Sequence, residues 1–213
     1  MSEITSKKRK LSLPLIIAGG VSSLVLALGM SPTFSAFTAS IQNTLNTAGS
    51  GALTMQETDG TYTCNSTDGG SVSTNLATCA TINKYGGSMI MVPGVPVITN
   101  ISIKNTGTVA ATTFSLTPGA CTQSNNGTAN GSASDLCGKM NILIKSGSTQ
   151  IFSGTASSLT SGGVIDLNSK LAQASVLSNA VVPITFTVTL DTTAANTYQG
   201  LKVSQPITWA FGA

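Results

Sequence analysis

The sequence predicts an all-β fold, a jelly-roll-like antiparallel β-sandwich with at most one short helix. Beyond residue 85, apolar and polar side chains alternate in short runs, as they do in strands that bury one face. Clusters rich in Gly, Asn and Ser separate these runs and are typical of turns. A helical period occurs only at residues 168–178. The pattern predicts the fold class but not the order of the strands.

Each strand is predicted by its own alternation. The clearest series is Ile184, Phe186, Val188 and Leu190, which alternates with threonines. The other series are Val97 to Ile103; Thr112, Phe114 and Leu116; Met140, Ile142 and Ile144, with a return strand through Ile151 and Phe152; and Leu201, Val203, Ile207, Trp209 and Phe211. Pro206 cannot donate a backbone hydrogen bond, so the final run is expected at a sheet edge or with a bulge. Trp209 is interpreted as a core side chain, with a carbohydrate contact as the alternative.

The first 36 residues have a different composition from the rest of the chain. A basic segment at residues 7–10 precedes an apolar run at residues 11–30, and small residues lead to Ser35 and Ala36. This order is typical of a secretory signal peptide, with cleavage expected at Ser35 and Ala36. The mature chain, residues 37–213, would then be secreted or held at the cell surface. An uncleaved anchor is the alternative, because the apolar run is long enough to cross a bilayer.

The leader also accounts for the net charge. The whole chain has 10 basic and 7 acidic residues, but residues 7–10 and Glu3 belong to the leader. The mature chain keeps 6 Lys against 6 Asp and Glu, a net charge of zero. Scattered lysines form no basic patch, which argues against a nucleic-acid partner. A neutral chain favours contact between copies of itself.

Four cysteines fall in two local pairs. Cys64 is close in sequence to Cys79, and Cys121 to Cys137. In an exported chain, two sequential disulfides are the simplest pairing, each closing a loop of about 15 residues. Free buried thiols are the alternative. The two loops, residues 60–80 and 120–138, lack an apolar period and are expected to be irregular surface excursions.

The residues needed for common catalytic sites are missing. The chain contains no His, which removes Ser–His–Asp, Cys–His and His-ligated zinc chemistry. Glu57, Asp59 and Asp68 lie close in sequence; we interpret them as solvated surface charges, with a Ca²⁺ site as the alternative. Residues 84–87 (KYGG) are predicted to form a turn and not a phosphate-binding loop. The sequence therefore predicts no enzyme activity, no cofactor and no metal site.

Three segments, in order, carry a family resemblance. Residues 37–55 read FTASIQNTLNTAGSGALTM, residues 93–111 contain PGVPV and KNTGT, and residues 196–211 join NTYQG to an aromatic strand. This arrangement resembles the TasA/camelysin family of secreted bacterial matrix proteins, whose archaeal relatives form bundling pili. Val95 stands where Asp is common in that family, and the Cys pairs are a further departure from it.

The resemblance implies a jelly-roll domain that a specialised signal peptidase releases and that polymerises by donor-strand exchange. In such a fibre, the N-terminal strand of one subunit completes a sheet of the next. Residues 37–51 would supply the donor strand and its link, and residues 52–213 would form the sandwich domain. Side chains of Phe37, Ala39, Ile41 and Leu45 would fill pockets in the neighbouring copy. Alternatively, the segment folds back onto its own sheet or stays disordered.

The predicted function is thus a secreted structural subunit of an extracellular fibre, pilus or biofilm matrix. Its partners would be further copies of itself, the signal peptidase during export and, in a mixed fibre, another matrix protein. The alternative is a monomeric or membrane-anchored, adhesin-like surface domain that binds through its disulfide-held loops. A casein-cleaving metallopeptidase, as described for the family's name-giving member, lacks its zinc ligands in this sequence.

Overall fold

A computed structural model of the chain describes Leu45 and residues 47–213. The chain divides into two units, Met1–Ala48 and Gly49–Ala213, and every element reported below belongs to the second unit. The predicted signal peptide, its cleavage site at Ser35 and Ala36, and the donor residues Phe37, Ala39 and Ile41 lie outside the described residues. These therefore stay predictions.

The described part of the chain is built mainly from short strands. The strands are β1 (Met55–Thr58), β2 (Thr63–Asn65), β3 (Pro96–Asn105), β4 (Thr113–Pro118), β5 (Thr122–Asn125), β6 (Met140–Ser146), β7 (Thr149–Thr155), β8 (Ile165–Asp166), β9 (Val181–Leu190), β10 (Leu201–Ser204) and β11 (Ile207–Gly212). The helices are α1 (Leu136–Lys139), α2 (Ala156–Gly162) and α3 (Leu167–Lys170), with a 3₁₀ turn at Asn196–Tyr198. No helix among the described residues combines the length and apolar character that a membrane crossing requires.

Of the helix predicted at residues 168–178, only the first turn is present, as α3. Ala172 has a φ of 51°, in the left-handed region where a right-handed helix cannot continue. Asp166 begins α3, because its side chain accepts a hydrogen bond from the backbone N–H of Ser169 at 3.1 Å. The helix α2, which the sequence did not predict, begins with a capping box formed by Thr155 and Ser158.

The strands form the two layers of an antiparallel sandwich, which confirms the predicted fold class. One layer is a six-stranded sheet in the order β2-β1-β3-β9-β6-β7. The other layer contains the sheets β11-β4-β8 and β10-β5. Strands β4 and β5 follow one another in the chain, as do β10 and β11. Strand β4 pairs antiparallel with β11, and β5 pairs antiparallel with β10. A kink at Gly119 and Pro206 separates the two small sheets, where the Gly119 N–H donates to the Pro206 carbonyl at 2.8 Å.

The core lies between the layers, as the alternation predicts. Ile184, Phe186 and Val188 of β9 are almost wholly buried, as are Phe114 and Leu116 of β4. Across the core, the rings of Phe186 and Trp209 lie 6.3 Å apart; within one layer, the rings of Phe114 and Trp209, on the paired strands β4 and β11, lie 6.1 Å apart. Burial of each large apolar side chain contributes about 1.5–3 kcal/mol. The period of two therefore reflects one continuous core shared by both sheets.

Both predicted disulfides are present. The Cα atoms are 6.2 Å apart in Cys64–Cys79 and 6.1 Å apart in Cys121–Cys137. The expectation of irregular loops around them is wrong in two places, because Thr63–Asn65 pairs with β1 and Thr122–Asn125 pairs with β10. In β5, three of the four side chains are exposed and none is fully buried. The sequence of β5 therefore has no apolar alternation from which a strand could be predicted.

Candidate binding groove

Among the residues that the structure describes, residues 201–212 have a strand partner on one edge only. Within the described part of the chain, β11 neighbours β4 alone and β10 neighbours β5 alone. The carbonyls that accept bonds on this paired edge belong to Gly200, Ser204, Pro206 and Gly212. Backbone polar groups of successive residues point to opposite edges of a strand. The odd-numbered residues from 201 to 211 therefore direct their N–H and C=O groups toward the open edge.

A cavity of about 950 Å³ runs beside this open edge. We call it the groove. One wall is the strand segment 201–211, and the opposite wall comes largely from the connection between β2 and β3, mainly residues 75–93. The inner-face side chains of the strand wall are only half-buried, namely Leu201, Val203, Gln205, Ile207, Trp209 and Phe211. An apolar sheet face that would be covered in a complete sandwich is therefore open along the groove.

The opposite wall has almost no regular secondary structure but is tied to the fold. The Cys64–Cys79 disulfide joins it to β2. The Asn75 side chain donates to the Leu53 carbonyl at 2.7 Å, which fixes the wall beside β1. At its other end, the Asn126 side chain donates to the Met89 carbonyl at 2.8 Å. These attachments hold the wall in place without pairing it to the open strand edge.

Three side chains that contact one another line the groove, namely Glu57, Lys84 and Trp209. We call them the polar cluster. The Lys84 Nζ lies 2.8 Å from Glu57 Oε1 and 2.9 Å from Oε2. The Trp209 Nε1–H donates to Glu57 Oε1 at 3.1 Å. Only 12% of the Lys84 side chain and 8% of the Glu57 side chain are exposed. The cluster thus places a shielded ion pair among apolar side chains.

This arrangement corrects the interpretation of Glu57 as a solvated surface charge. Glu57 lies on the inner face of β1, where the strand alternation turns it toward the core. The other two carboxylates do sit in turns: Asp59 accepts from the backbone N–H groups of Tyr62 and Thr61, which hold its pKa below the ordinary 3.8. The described residues contain no group of three or more His, Cys, Asp or Glu side chains arranged to hold a metal ion.

A second set of hydrogen bonds links the two walls at the kink. Tyr85 donates its hydroxyl to Gln205 Oε1, and the Gln205 Nε2 donates to the Gly119 carbonyl at 3.0 Å and to Thr160 Oγ1 at 2.9 Å. Burial raises the pKa of the Tyr85 phenol well above 10. Gln205 therefore fixes the strand wall to α2 and to the opposite wall together.

The remaining predicted site residues are placed as follows. Leu45 is described and is 80% exposed, without regular structure. Trp209 packs on Phe114 and Phe186 but is only half-buried, so its interpretation as a core side chain holds in part. Residues 84–87 form the predicted turn. Sequence reasoning missed that Lys84 and Tyr85 in this turn reach into the groove, because no motif connects them to Glu57 and Gln205.

A comparison with models of known protein families and a search of curated proteins found no match for this chain. The class of protein is therefore set by its fold and groove: a disulfide-bonded, all-β sandwich with an open strand edge beside a partly apolar cavity.

Proposed function

We propose that this chain is a secreted structural subunit of an extracellular fibre or biofilm matrix, assembling head-to-tail by donor-strand exchange. In this proposal, residues 37–47 of one copy enter the groove of the next. The observation that supports it most strongly is the open backbone edge of residues 201–211 beside a half-exposed apolar face. An added strand satisfies the polar groups of an open edge, and its alternate side chains fill pockets.

The proposed donor fits the groove in length and composition. Residues 37–47 and residues 201–211 are both eleven residues long. Extended chain of that length spans about 36 Å at roughly 3.3 Å per residue. The donor segment has no charged residue and no Pro, and it carries Phe37, Ala39, Ile41 and Leu45 at odd-numbered positions. These features suit a strand that pairs along most of the edge and turns an apolar face into the groove.

The energetics favour insertion and then propagation. Covering Trp209, Phe211 and Ile207 removes apolar surface from water at about 25 cal/mol per Å². Each new backbone hydrogen bond adds about 0.5–1.5 kcal/mol. The donor and the groove are different parts of the chain, so the contact is heterologous and extends as a filament unless it closes into a ring.

Two further observations agree with an extracellular fibre. Both disulfides suit an oxidising compartment outside the cytoplasm. The resemblance of residues 37–55, 93–111 and 196–211 to the TasA/camelysin family points to the same kind of assembly, and we propose that this chain is a relative of those proteins.

The decisive test compares residues 37–213 with residues 49–213 by negative-stain electron microscopy after incubation at high concentration. The shorter chain keeps the whole compact unit, and circular dichroism checks that it is folded. We expect filaments from the longer chain only, and we expect a synthetic peptide of residues 37–47 to block their growth. Folded monomers from both chains would contradict the proposal.

A second candidate function is a monomeric or membrane-anchored, adhesin-like surface domain that binds another protein. One observation favours it: the connection before β3 exposes Met89, Ile90, Val92 and Val95, with Ile90 88% exposed. If residues 37–213 remain monomeric, replacing Ile90 and Val92 by Ser should abolish binding to the cell surface. Unchanged surface binding by this variant would exclude the segment as the contact.

A further inference from the structure

We propose that the polar cluster binds the side-chain carboxamide of Asn43 from a second copy and thereby fixes the register of the inserted strand. The inference rests on the proposed function and identifies the contact that makes the groove specific for one alignment of one segment. It assigns a role to Glu57 and Lys84 that strand exchange alone does not require.

The donor sequence places one amide on its apolar face. Side chains two residues apart share a face of a strand, so Asn43 lies in the same series as Phe37, Ala39, Ile41 and Leu45. Gln42 and Asn46 belong to the opposite series. A strand that turns its apolar series into the groove must therefore bury the Asn43 amide, which is costly unless the amide finds hydrogen-bond partners.

The polar cluster has an unused hydrogen-bond donor and an unused acceptor that a carboxamide could pair with. A Lys ammonium has three donor hydrogens, and an ionised carboxylate accepts about four hydrogen bonds. Lys84 donates to Glu57 Oε2 and its Nζ also lies 2.8 Å from Oε1, and Glu57 Oε1 accepts from Trp209. Among the described residues, this leaves at least one donor on Lys84 and one acceptor position on Glu57. A carboxamide supplies the complementary acceptor oxygen and N–H donor side by side.

The other inner-face polar side chain of the strand wall has no such capacity. Gln205 Nε2 already donates to the carbonyls of Gly119 and Ala156 and to Thr160 Oγ1, and its Oε1 accepts from Tyr85. Glu57–Lys84 is also the only ion pair among the residues that the structure describes. The polar cluster is therefore the position in the groove where a buried amide is best accommodated.

Placing Asn43 beside Trp209 also aligns the apolar residues. Ile41 and Leu45 then fall beside Ile207 and Phe211, in one order or the other, whichever direction the inserted strand runs. A slip by one residue turns the whole apolar series away from the core. A slip by two residues sets an apolar side chain against the ion pair and leaves the amide unpaired. Only one register satisfies both the apolar and the polar groups.

The test measures peptide binding to residues 49–213 through the fluorescence of Trp209, the only tryptophan in the chain. The probes are peptides of residues 37–47 with the native sequence, with Asn43→Leu, and with Asn46→Leu as the matched control on the opposite face. We expect Asn43→Leu to weaken binding by at least about tenfold, the usual effect of losing hydrogen bonds to charged groups. Asn46→Leu should change the affinity by less than about twofold.

Equal affinities for the native and Asn43→Leu peptides, or equal losses for both variants, would overturn the inference while leaving strand insertion intact. Absence of binding by every peptide would overturn the proposed function and this inference with it. The two failures are therefore distinguishable.

A change in the acceptor gives an independent readout. In the double variant Glu57→Leu/Lys84→Met, the groove is apolar at this point, so the Asn43→Leu peptide should bind more tightly than the native peptide. Replacing both members of a buried ion pair is commonly tolerated by a fold, and thermal unfolding checks this. Retained preference for the native peptide would contradict the inference. If the double variant does not fold, the peptide series on the unaltered domain decides the question.

Discussion

Glu57 illustrates how one side chain can determine the character of a cavity. Its side chain is only 8% exposed to solvent. The residues opposite it on the two neighbouring strands, Cys64 and Ile103, are apolar and buried. Lys84 and Trp209 compensate the charge with three contacts between 2.8 and 3.1 Å. A buried ion pair adds little net stability, but a buried charge left without its partner is strongly destabilising. A role of the pair in specificity, as proposed above, accounts for its presence better than a contribution to stability.

Lys84→Met should lower the free energy of unfolding by about 3 kcal/mol, because it leaves the Glu57 carboxylate buried without a counter-charge. The double variant Glu57→Leu/Lys84→Met should lose less than Lys84→Met alone. Urea denaturation of residues 49–213 measures both. Lys202→Met is the matched control, since Lys202 is exposed on the outer face of β10 and should change stability by less than about 0.5 kcal/mol. A larger loss in the double variant than in the single one would contradict this account.

Tyr85 should make stability fall in alkaline solution. Burial raises its pKa above the ordinary 10.0, so the folded state keeps the proton that the unfolded state releases. The stabilisation is fully present below pH 10 and is lost as the pH rises beyond it. Tyr85→Phe should remove this part of the pH dependence, as measured by urea denaturation at successive pH values. Tyr62→Phe, at an exposed position, should leave it unchanged.

At the level of the strands, the sequence predicts what alternation can encode. The runs through Ile101, Phe114, Ile142 and Ile184 become β3, β4, β6 and β9 because each has one buried and one exposed face. Pro206 correctly predicts an edge strand, since both β10 and β11 lie at sheet edges. The short strands β1, β2, β5 and β8 were not predicted, because two to four residues carry too little periodicity.

The groove was harder to predict than the strands. Glu57 and Lys84 are 27 residues apart, and Tyr85 and Gln205 are 120 residues apart. Contacts between residues so far apart in the chain depend on the order of the strands in the sheets. The alternation of apolar and polar residues does not predict that order. Pro206 marks the kink between β10 and β11, but its missing N–H lies on the paired edge, so the sequence carried no signal for the open edge.

The two disulfides should have separable effects. They span 15 and 16 residues, so removing either pair by Cys→Ser should lower the free energy of unfolding by a similar amount, about 3 kcal/mol. Cys64–Cys79 joins the opposite wall of the groove directly, whereas Cys121–Cys137 acts on that wall only through Asn126. Cys64→Ser/Cys79→Ser should therefore weaken binding of the peptide of residues 37–47 more than Cys121→Ser/Cys137→Ser does. Equal binding by the two variants, measured well below their unfolding temperatures, would show that the wall holds its position without its disulfide.

Over the whole molecule, the charge balance would determine how copies meet in the proposed fibre. Residues 37–213 carry six Lys and six acidic residues, and the proposed donor segment carries no charge. Assembly should therefore depend on apolar burial and backbone pairing and respond weakly to salt. We expect the critical concentration for filament growth to change by less than about twofold between low salt and about 0.5 M NaCl. A change of tenfold or more, followed by sedimentation, would point to a charged interface instead.

The position of β9 between β3 and β6 determines when the fold can close. Val188 of β9 pairs with Val97 of β3 and with Ile142 of β6, partners that are separated from it by long stretches of chain. Chains whose contacts span such distances fold slowly, over milliseconds to seconds. The large sheet cannot form until β9 is available for pairing, and β10 and β11 follow still later in the chain. In the proposed export, which delivers the chain N-terminus first, residues 37–47 would emerge before their own copy has a groove, and an already folded neighbour would have the first opportunity to capture them.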